Sequence, residues 1–146
     1  MLEDNRHTIC LSSQVGCNVD CDFCATGKMG ITRNLSAGEI IDQLIIVQKQ
    51  IKSPVSNIVF MGMGEPFLNY KPVIQAAELL HQPDGINLGF GRITISTVGI
   101  VPKIKQYTQE GHRYKLAISL NGISQEQRLV IMPISKAHPL NDLLVA

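Results

Sequence analysis

The most informative stretch of this sequence is rich in cysteine and polar residues and reads Cys17-Asn18-Val19-Asp20-Cys21-Asp22-Phe23-Cys24. Three residues separate the first two cysteines and two separate the last two, so one short loop can direct all three thiols to a common point. Cysteine thiolates hold iron-sulfur clusters, usually four per cluster. Three thiolates from one loop would leave one iron without a protein ligand. The spacing therefore predicts a reactive metal centre.

Three other interpretations of these cysteines are open. Buried cysteines can pack as small hydrophobic residues, but Asn18, Asp20 and Asp22 make this stretch polar. A structural zinc site could use Cys10 as a fourth thiolate, although the usual paired C-x-x-C knuckles are missing. A disulfide framework is disfavoured, because the rest of the chain resembles a cytosolic protein that is large enough to form an apolar core.

The composition places the chain among compact soluble domains, with 45% hydrophobic and 17% charged residues in a length of 146. The longest apolar stretches, such as Leu44 to Val47, are far shorter than the roughly 20 residues that span a bilayer. The polar start from Met1 to Arg6 does not have the pattern of a secretory signal. We therefore expect a cytoplasmic protein without a membrane partner.

The net charge of +1 does not indicate a nucleic-acid binder, because 13 basic residues face 12 acidic ones and no basic stripe is visible. Lys28 and Arg33 follow the cysteines closely. They are interpreted either as phosphate contacts or as ordinary exposed loop residues, so charge alone does not establish RNA binding.

Short apolar runs alternate with amphipathic runs along the rest of the chain. The predicted strands are His7 to Ser12, Asn57 to Met61, Arg92 to Ser96 and Lys115 to Leu120. Ser36 and Glu39 form a capping box at the start of the first long helix, which should end near Lys52. The other predicted helices are Pro72 to His81, Gly99 to Tyr107, Ser124 to Leu129 and Pro139 to Ala146.

Four strand-helix units in succession predict an α/β fold with a parallel sheet, built as a partial (β/α) barrel with right-handed crossovers. A complete eight-unit barrel needs about 250 residues. We therefore expect residues 1–146 to form one partial core domain, as a fragment of a longer protein. Sites on such folds collect at the carboxyl ends of the strands, and the cysteine loop and three further motifs all follow predicted strands.

The motif Gly62-Met63-Gly64-Glu65-Pro66 follows the second predicted strand. Its glycines allow the backbone to approach a ligand closely, and the Glu65 carboxylate can accept hydrogen bonds from a charged amino group. An ordinary strand-to-helix turn would contain the same residue types. The motif alone does not decide between a binding role and a turn.

Two further motifs close the third and fourth strands. Ser96, within the run from Thr94 to Gly99, can bind a carboxylate or a ribose, although hydroxyls at this position can also cap the next helix. The segment Ser119-Leu120-Asn121 is either part of a site or a plain strand end before an Asn-Gly turn. Each of these motifs is ambiguous when it is considered alone.

Taken together, the motifs resemble those of radical S-adenosylmethionine (SAM) enzymes, which share the signature C-x-x-x-C-x-aromatic-C. The flanking residues narrow the resemblance to the adenine carbon-2 methyltransferases of ribosomal and transfer RNA. The segments that carry this likeness are Ser12-Ser13-Gln14-Val15-Gly16, Thr26-Gly27-Lys28 and Gly62-Met63-Gly64-Glu65-Pro66.

The resemblance implies two cofactors. A 4Fe-4S cluster would be held by Cys17, Cys21 and Cys24, and SAM would be bound by Gly64, Glu65, Ser96, Ser119, Leu120 and Asn121. Asn121 stands where the family often has histidine. An amide forms hydrogen bonds but does not titrate near neutral pH, so a hydrogen-bonding role is expected at this position.

The resemblance also implies a reaction on 23S ribosomal RNA and transfer RNA. In the family, an electron from a partner such as flavodoxin reaches the cluster, and SAM is split to a 5′-deoxyadenosyl radical. This radical acts on a methylated cysteine, whose methylene adds to carbon 2 of adenine. Cys10 matches a second catalytic cysteine that helps to release the product. The four cysteines of this chain leave no candidate for the methylated one, so we expect the fragment to be inactive alone.

Other functions remain as alternatives. A carbon-8 adenine methyltransferase would share the motifs, and a radical SAM activase of another substrate class would share the three cysteines and the Gly-Glu pair. A non-enzymatic zinc module would use the cysteines alone.

Overall fold

The computed structural model describes residues 7–51 and 53–146, so the polar start Met1 to Arg6 and the expected helix end at Lys52 lie outside the described residues. Its strands are β1 (Thr8–Cys10), β2 (Gln14–Gly16), β3 (Ile31–Asn34), β4 (Asn57–Phe60), β5 (Ile93–Thr97) and β6 (Lys115–Ile118). Its helices are α1 (Ala25–Lys28), α2 (Ala37–Ile51), α3 (Tyr70–His81), α4 (Val101–Gln109), α5 (Gln125–Ile131) and α6 (Leu140–Val145). Short 3₁₀ turns cover Pro66–Asn69, Phe90–Arg92 and Pro133–Lys136.

Four strands form one parallel sheet in the order β1-β4-β5-β6. Ile9 pairs with Ile58, and Ile58 pairs with Ile93, so β-branched side chains lie beside one another across three strands. Strands rich in such residues suit a sheet whose connections are helices. The predicted α/β class, with four strand-helix units around a parallel sheet, is confirmed.

The hydrophobic core lies between one face of this sheet and the helices. Ile58 and Ile95 are fully buried there, together with Leu44 of α2 and Leu80 of α3, and Ile104 of α4 is also buried. Side chains alternate between the two faces of a strand, so the intervening residues point the other way. They are at least partly exposed and define what we call the open face of the sheet, formed by Cys10, Val59, Thr94 and Ser96.

The capping box at the start of α2 is confirmed. The Ser36 hydroxyl accepts a hydrogen bond from the Glu39 amide at 3.3 Å, and the Ser36 amide donates to the Glu39 carboxylate at 2.9 Å. This reciprocal pair satisfies two amide groups that a helix start leaves without partners.

In the part of the chain that the structure describes, no helix is both long and apolar enough to cross a membrane.

A small antiparallel pair of strands, β2 and β3, was not predicted from the sequence. Every residue of β3 is exposed, so this strand lacks the apolar alternation by which strands are recognised. The pair encloses the cysteine stretch: Gly16 pairs with Ile31, and the Cys17 amide donates to the Gly30 carbonyl at 2.9 Å. It therefore holds together the two ends of the segment that carries the three thiols.

The position of Ile58 predicts a large stability effect. Replacing this fully buried side chain by alanine should lower the free energy of unfolding by about 2–5 kcal/mol, because apolar contacts are lost and a cavity remains. Urea denaturation followed by circular dichroism measures the loss. The matched control is Ile46→Ala on the outer side of α2, where the side chain is 57% exposed and the effect should stay within about 0.5 kcal/mol. Equal losses in the two variants would contradict the described core.

Candidate functional site

The carboxyl ends of β4, β5 and β6 border a cavity of about 260 Å³, which the cysteine loop closes on one side. Most of the site residues predicted from the sequence line this cavity, namely Cys17, Cys21, Cys24, Gly64, Glu65, Ser96, Ser119 and Asn121. Phe23 also lines it. Cys10 and Leu120 are not among the lining residues. The structure thus brings four separate sequence motifs to one place.

The cavity has three free thiols in its wall. Cys17 and Cys21 are buried and Cys24 is partly buried. Burial raises the pKa of Cys17, and it raises the pKa of Cys21 to about 11, with the charges of Cys24 and Cys17 acting in the same direction. Thiols in such surroundings stay protonated unless a cation is present, and a bound metal deprotonates a coordinating thiol. The donor set therefore fits a metal group.

The arrangement does not support the zinc alternative in which Cys10 is the fourth ligand. Within residues 7–51 and 53–146, no three His, Cys, Asp or Glu side chains lie close enough to hold one metal ion. Tetrahedral zinc with bonds of about 2.3 Å would need sulfur atoms within roughly 4 Å of one another. Cys10, the proposed fourth zinc ligand, is exposed on β1 and does not line the cavity. An iron-sulfur cluster, in contrast, spreads its thiolates over different irons.

The conformation of the cysteine loop is fixed mainly from the carboxyl end of α5. The Asp22 amide donates to the Ile131 carbonyl at 2.8 Å. The fully buried Met132 packs in a small apolar cluster with Cys17, Val19 and Cys21. These contacts hold the thiols against the cavity.

The segment before the cysteines supports the turn after β4. The Gln14 side chain is buried; its carbonyl oxygen accepts from the Glu65 amide at 2.9 Å, and its amide donates to Asn34 at 2.7 Å. Gly64 has a φ of +99°, and a Cβ there would lie 2.6 Å from the Cβ of Gln14. A side chain at position 64 is thus excluded by both conformation and space. No local sequence pattern predicts this role of Gln14, although a buried polar side chain requires partners.

Glu65 has a structural role that the sequence did not predict. Its side chain is 3% exposed, and its two carboxylate oxygens accept from the Phe67 and Val98 amides, each at 2.9 Å. Burial raises the pKa of Glu65, whereas hydrogen bonds from Thr97, Val98 and Phe67 act in the opposite direction. The carboxylate connects the turn after β4 to the end of β5. The sequence led us to expect a carboxylate that faces the amino group of a ligand, but both oxygens have partners inside the protein.

The ends of β5 and β6 present polar groups to the cavity. The hydroxyls of Ser96 and Ser119 lie 3.2 Å apart, across the two strands. The Thr97 hydroxyl, in contrast, accepts from the Gly99 amide and so forms part of a local turn. The predicted capping of the next helix by a hydroxyl is wrong, because α4 begins after Ile100 and has no side-chain cap hydrogen bond; a ligand-binding role for Ser96 stays a prediction.

Asn121 and Leu120 differ in their relation to the cavity. Asn121 lines it with a φ of +53°, and its amide contacts the Met132 sulfur at 3.3 Å. Asparagine and histidine both tolerate this left-handed conformation better than most residues, which gives a backbone reason for finding either of them here. The Leu120 side chain is 43% exposed, and its carbonyl accepts a hydrogen bond from Arg128.

Cys10 lies on the open face of the sheet and outside the cavity. Cys10 pairs with Val59, and Val59 pairs with Thr94. Ser96 is two residues beyond Thr94 and therefore points to the same face. Cys10 is exposed, so a molecule that covered the open face could contact both this thiol and Ser96.

Lys28 and Arg33 have acidic partners. Lys28 pairs with Asp22 at 2.8 Å, and Arg33 makes two hydrogen bonds with Glu39, at 2.7 and 3.0 Å. A phosphate group would have to compete with these carboxylates. The pairs therefore favour the interpretation of both residues as ordinary surface groups.

Fold and site together define an α/β protein in which three thiols and several strand-end polar groups share one cavity at the carboxyl edge of a parallel sheet. A sequence model described as the Radical SAM superfamily matches residues 11–144. The chain belongs to the radical SAM superfamily.

Several known proteins are similar to this chain. A probable RNA methyltransferase of Myxococcus xanthus is 49% identical over 143 residues, which are 98% of this chain and 40% of the relative. A probable dual-specificity RNA methyltransferase RlmN of Chlorobium phaeobacteroides is 50% identical over 145 residues, with 95% of this chain and 40% of the relative covered.

A solved structure is also similar. The crystal structure of a radical SAM methyltransferase from Sphaerobacter thermophilus superimposes with a TM-score of 0.92 at 42% identity, covering 99% of this chain and 43% of that one. The chain thus spans about two fifths of the length of the relatives it matches.

The hydrogen bonds of Glu65 predict a specific cost of removing its charge. Glu65→Gln places an amide group opposite a backbone amide, so one buried donor loses its acceptor, and the free energy of unfolding should fall by about 1–3 kcal/mol at pH 7. Urea denaturation measures this value. Glu78→Gln, at an exposed position of α3, is the matched control and should change little. Unchanged stability of Glu65→Gln would contradict the described connection between β4 and β5.

Proposed function

We propose that this chain forms the cofactor-binding core of a radical SAM methyltransferase that acts on carbon 2 of adenine in ribosomal and transfer RNA. One observation carries the proposal: three cysteine thiols and three strand-end motifs line a single cavity. The similarity to proteins named as RNA methyltransferases supports the substrate class. Carbon 2 is named because the flanking motifs resemble those of the carbon-2 family, although a carbon-8 enzyme would share these motifs.

The residues of the cavity fit the two cofactors of the superfamily. Cys17, Cys21 and Cys24 would each bind one iron of a 4Fe-4S cluster, and SAM would bind the fourth iron. When bound, this pair supplies a one-electron cleavage that yields a carbon radical able to take hydrogen from an unactivated group. Iron-sulfur chemistry of this kind needs an external electron donor, and we propose a small reducing protein such as flavodoxin.

The residues of this chain would bind and orient SAM. Gly64 and Glu65 would contact it through their backbone, because the glycine permits close approach while the carboxylate is occupied within the protein. The hydroxyls of Ser96 and Ser119 and the amide of Asn121 would form hydrogen bonds with its polar groups. We also propose that the main chain of Leu120 contacts SAM.

Cys10 is the proposed second catalytic cysteine. Its thiol is exposed on the same sheet face as Ser96, so it can meet an RNA base presented to the cavity from the open face. The proposed setting is the cytoplasm, where both RNA substrates occur.

Cofactor binding is tested by anaerobic reconstitution of the chain with iron and sulfide. We expect about four irons and four sulfides per chain, as in a 4Fe-4S cluster, and an electron paramagnetic resonance signal of the reduced protein that changes when SAM is added. Cys17→Ala should lose the cluster, whereas Cys10→Ala should keep both the cluster and its response to SAM. One zinc per chain without sulfide would contradict the proposal and favour a zinc module.

The reaction is tested with a hybrid protein, in which this chain replaces the aligned segment of the Chlorobium phaeobacteroides relative. Expressed in a host without its own adenine carbon-2 methyltransferase, the hybrid should restore 2-methyladenosine, detected by mass spectrometry of digested ribosomal and transfer RNA. The same hybrid with Cys10→Ala should release no methylated RNA. The appearance of 8-methyladenosine would instead identify a carbon-8 enzyme.

A further inference from the structure

Arg128 is a buried arginine behind the candidate site. Its side chain is 1% exposed, and it extends from α5 toward the ends of two strands. One terminal nitrogen donates to the carbonyls of Leu120 and Ser119, the latter at 3.4 Å, and the other donates to the Val98 carbonyl at 3.1 Å. The guanidinium therefore binds backbone just beyond β5 and β6, two of the three strands whose ends border the cavity.

Within residues 7–51 and 53–146, no carboxylate forms an ion pair with Arg128. The ion pairs found among the described residues join Lys28, Arg33 and His112 to acidic groups, and none includes Arg128. Its Nε is buried without a hydrogen-bond partner. Burial lowers the pKa of Arg128, and a Cys21 thiolate acts in the opposite direction. A buried cation without a carboxylate is costly. The guanidinium binds the carbonyls of Val98 and Ser119, two residues that line the cavity together with the three thiols, so its charge lies at the wall of that site.

Arg128 is also directly connected to the cysteine loop. Its carbonyl accepts from the Met132 amide at 2.7 Å, and Met132 packs against Cys17 and Cys21. The adjacent Ile131 carbonyl accepts from the Asp22 amide. The end of α5 thus links the backbone of Arg128 to the residues that pack against two of the thiols.

We propose that Arg128 is a positioning residue that supplies a fixed positive charge to the three-thiol site and raises the reduction potential of the group that the thiols hold. The inference rests on the proposed function, because it requires a redox-active group. Reduction adds negative charge to a site that already has three thiolates. A nearby buried cation stabilises that added charge more strongly than a solvent-exposed one, and local charge is one of the factors that set cluster potentials.

The test compares charge-preserving and charge-removing variants. Arg128→Lys keeps the cation, and Arg128→Gln keeps amide donors without it. Each reconstituted protein is titrated with a redox-buffered reductant while the reduced signal is followed by electron paramagnetic resonance. At a fixed potential, Arg128→Gln should have a reduced-to-oxidised ratio about tenfold below that of the wild type, which corresponds to a midpoint about 59 mV lower for one electron. Arg128→Lys should stay within about threefold of the wild-type ratio, because it keeps the positive charge. A threefold change corresponds to about half of the 59 mV that a tenfold change represents.

A matched control removes a surface arginine at the opposite edge of the sheet. Arg113 lies just before β6, with its guanidinium 4.4 Å from the centre of the Phe90 ring, and Arg113→Gln should leave the potential unchanged. An unchanged potential in Arg128→Gln would overturn the inference. If Arg128→Gln holds no iron, the lysine variant decides, because a tenfold loss there shows that charge alone is not the factor. A wild-type chain that assembles no cluster would overturn the proposed function itself, which is a distinct result.

Discussion

Because β1, β4, β5 and β6 pair in parallel, their carboxyl ends lie at one edge of the sheet, and every loop that follows a strand begins there. The cysteine loop, the Gly64-Glu65 turn, Ser96 and Ser119 are far apart in the sequence, yet this pairing brings them around one cavity. The helices cover the face of the sheet that lies opposite the open face, where Ile58 and Ile95 are buried. The position of the site is therefore a consequence of strand direction, whereas its chemistry depends on the loop residues.

A strand that ends beside a cavity leaves backbone groups without sheet partners, and buried groups of this kind must find others. In this protein, side chains supply them. Gln14 binds the Glu65 amide, the Glu65 carboxylate binds the Val98 amide, and Arg128 binds the Val98 carbonyl. These three side chains thus form a continuous series from the segment before the cysteines to α5. Side-chain hydrogen bonds, rather than backbone pairing between strands, therefore fix the spacing of the loops around the cavity.

The sequence was sufficient for the elements with a clear period. The parallel strands and the long helices were placed to within a few residues, because apolar spacing and the Ser36-Glu39 capping box are local signals. The strand β3 was missed, since all its side chains are exposed. The cavity-lining cysteines and Ser96 were predicted from spacing and resemblance. The partners of Glu65 and the burial of Arg128 were not, because each depends on contacts between residues distant in the sequence, which no local pattern encodes.

The cysteine loop combines two opposing requirements. Burial orders Cys17 and Cys21 by packing, yet it raises the pKa of both thiols and disfavours the thiolates that bind metal. The apolar contacts of Met132 with Cys17 and Cys21 pack the loop against the end of α5. The contacts that bury these two thiols therefore make their thiolates less favourable. A bound cluster would offset that cost, because a coordinating metal deprotonates the thiols that it binds.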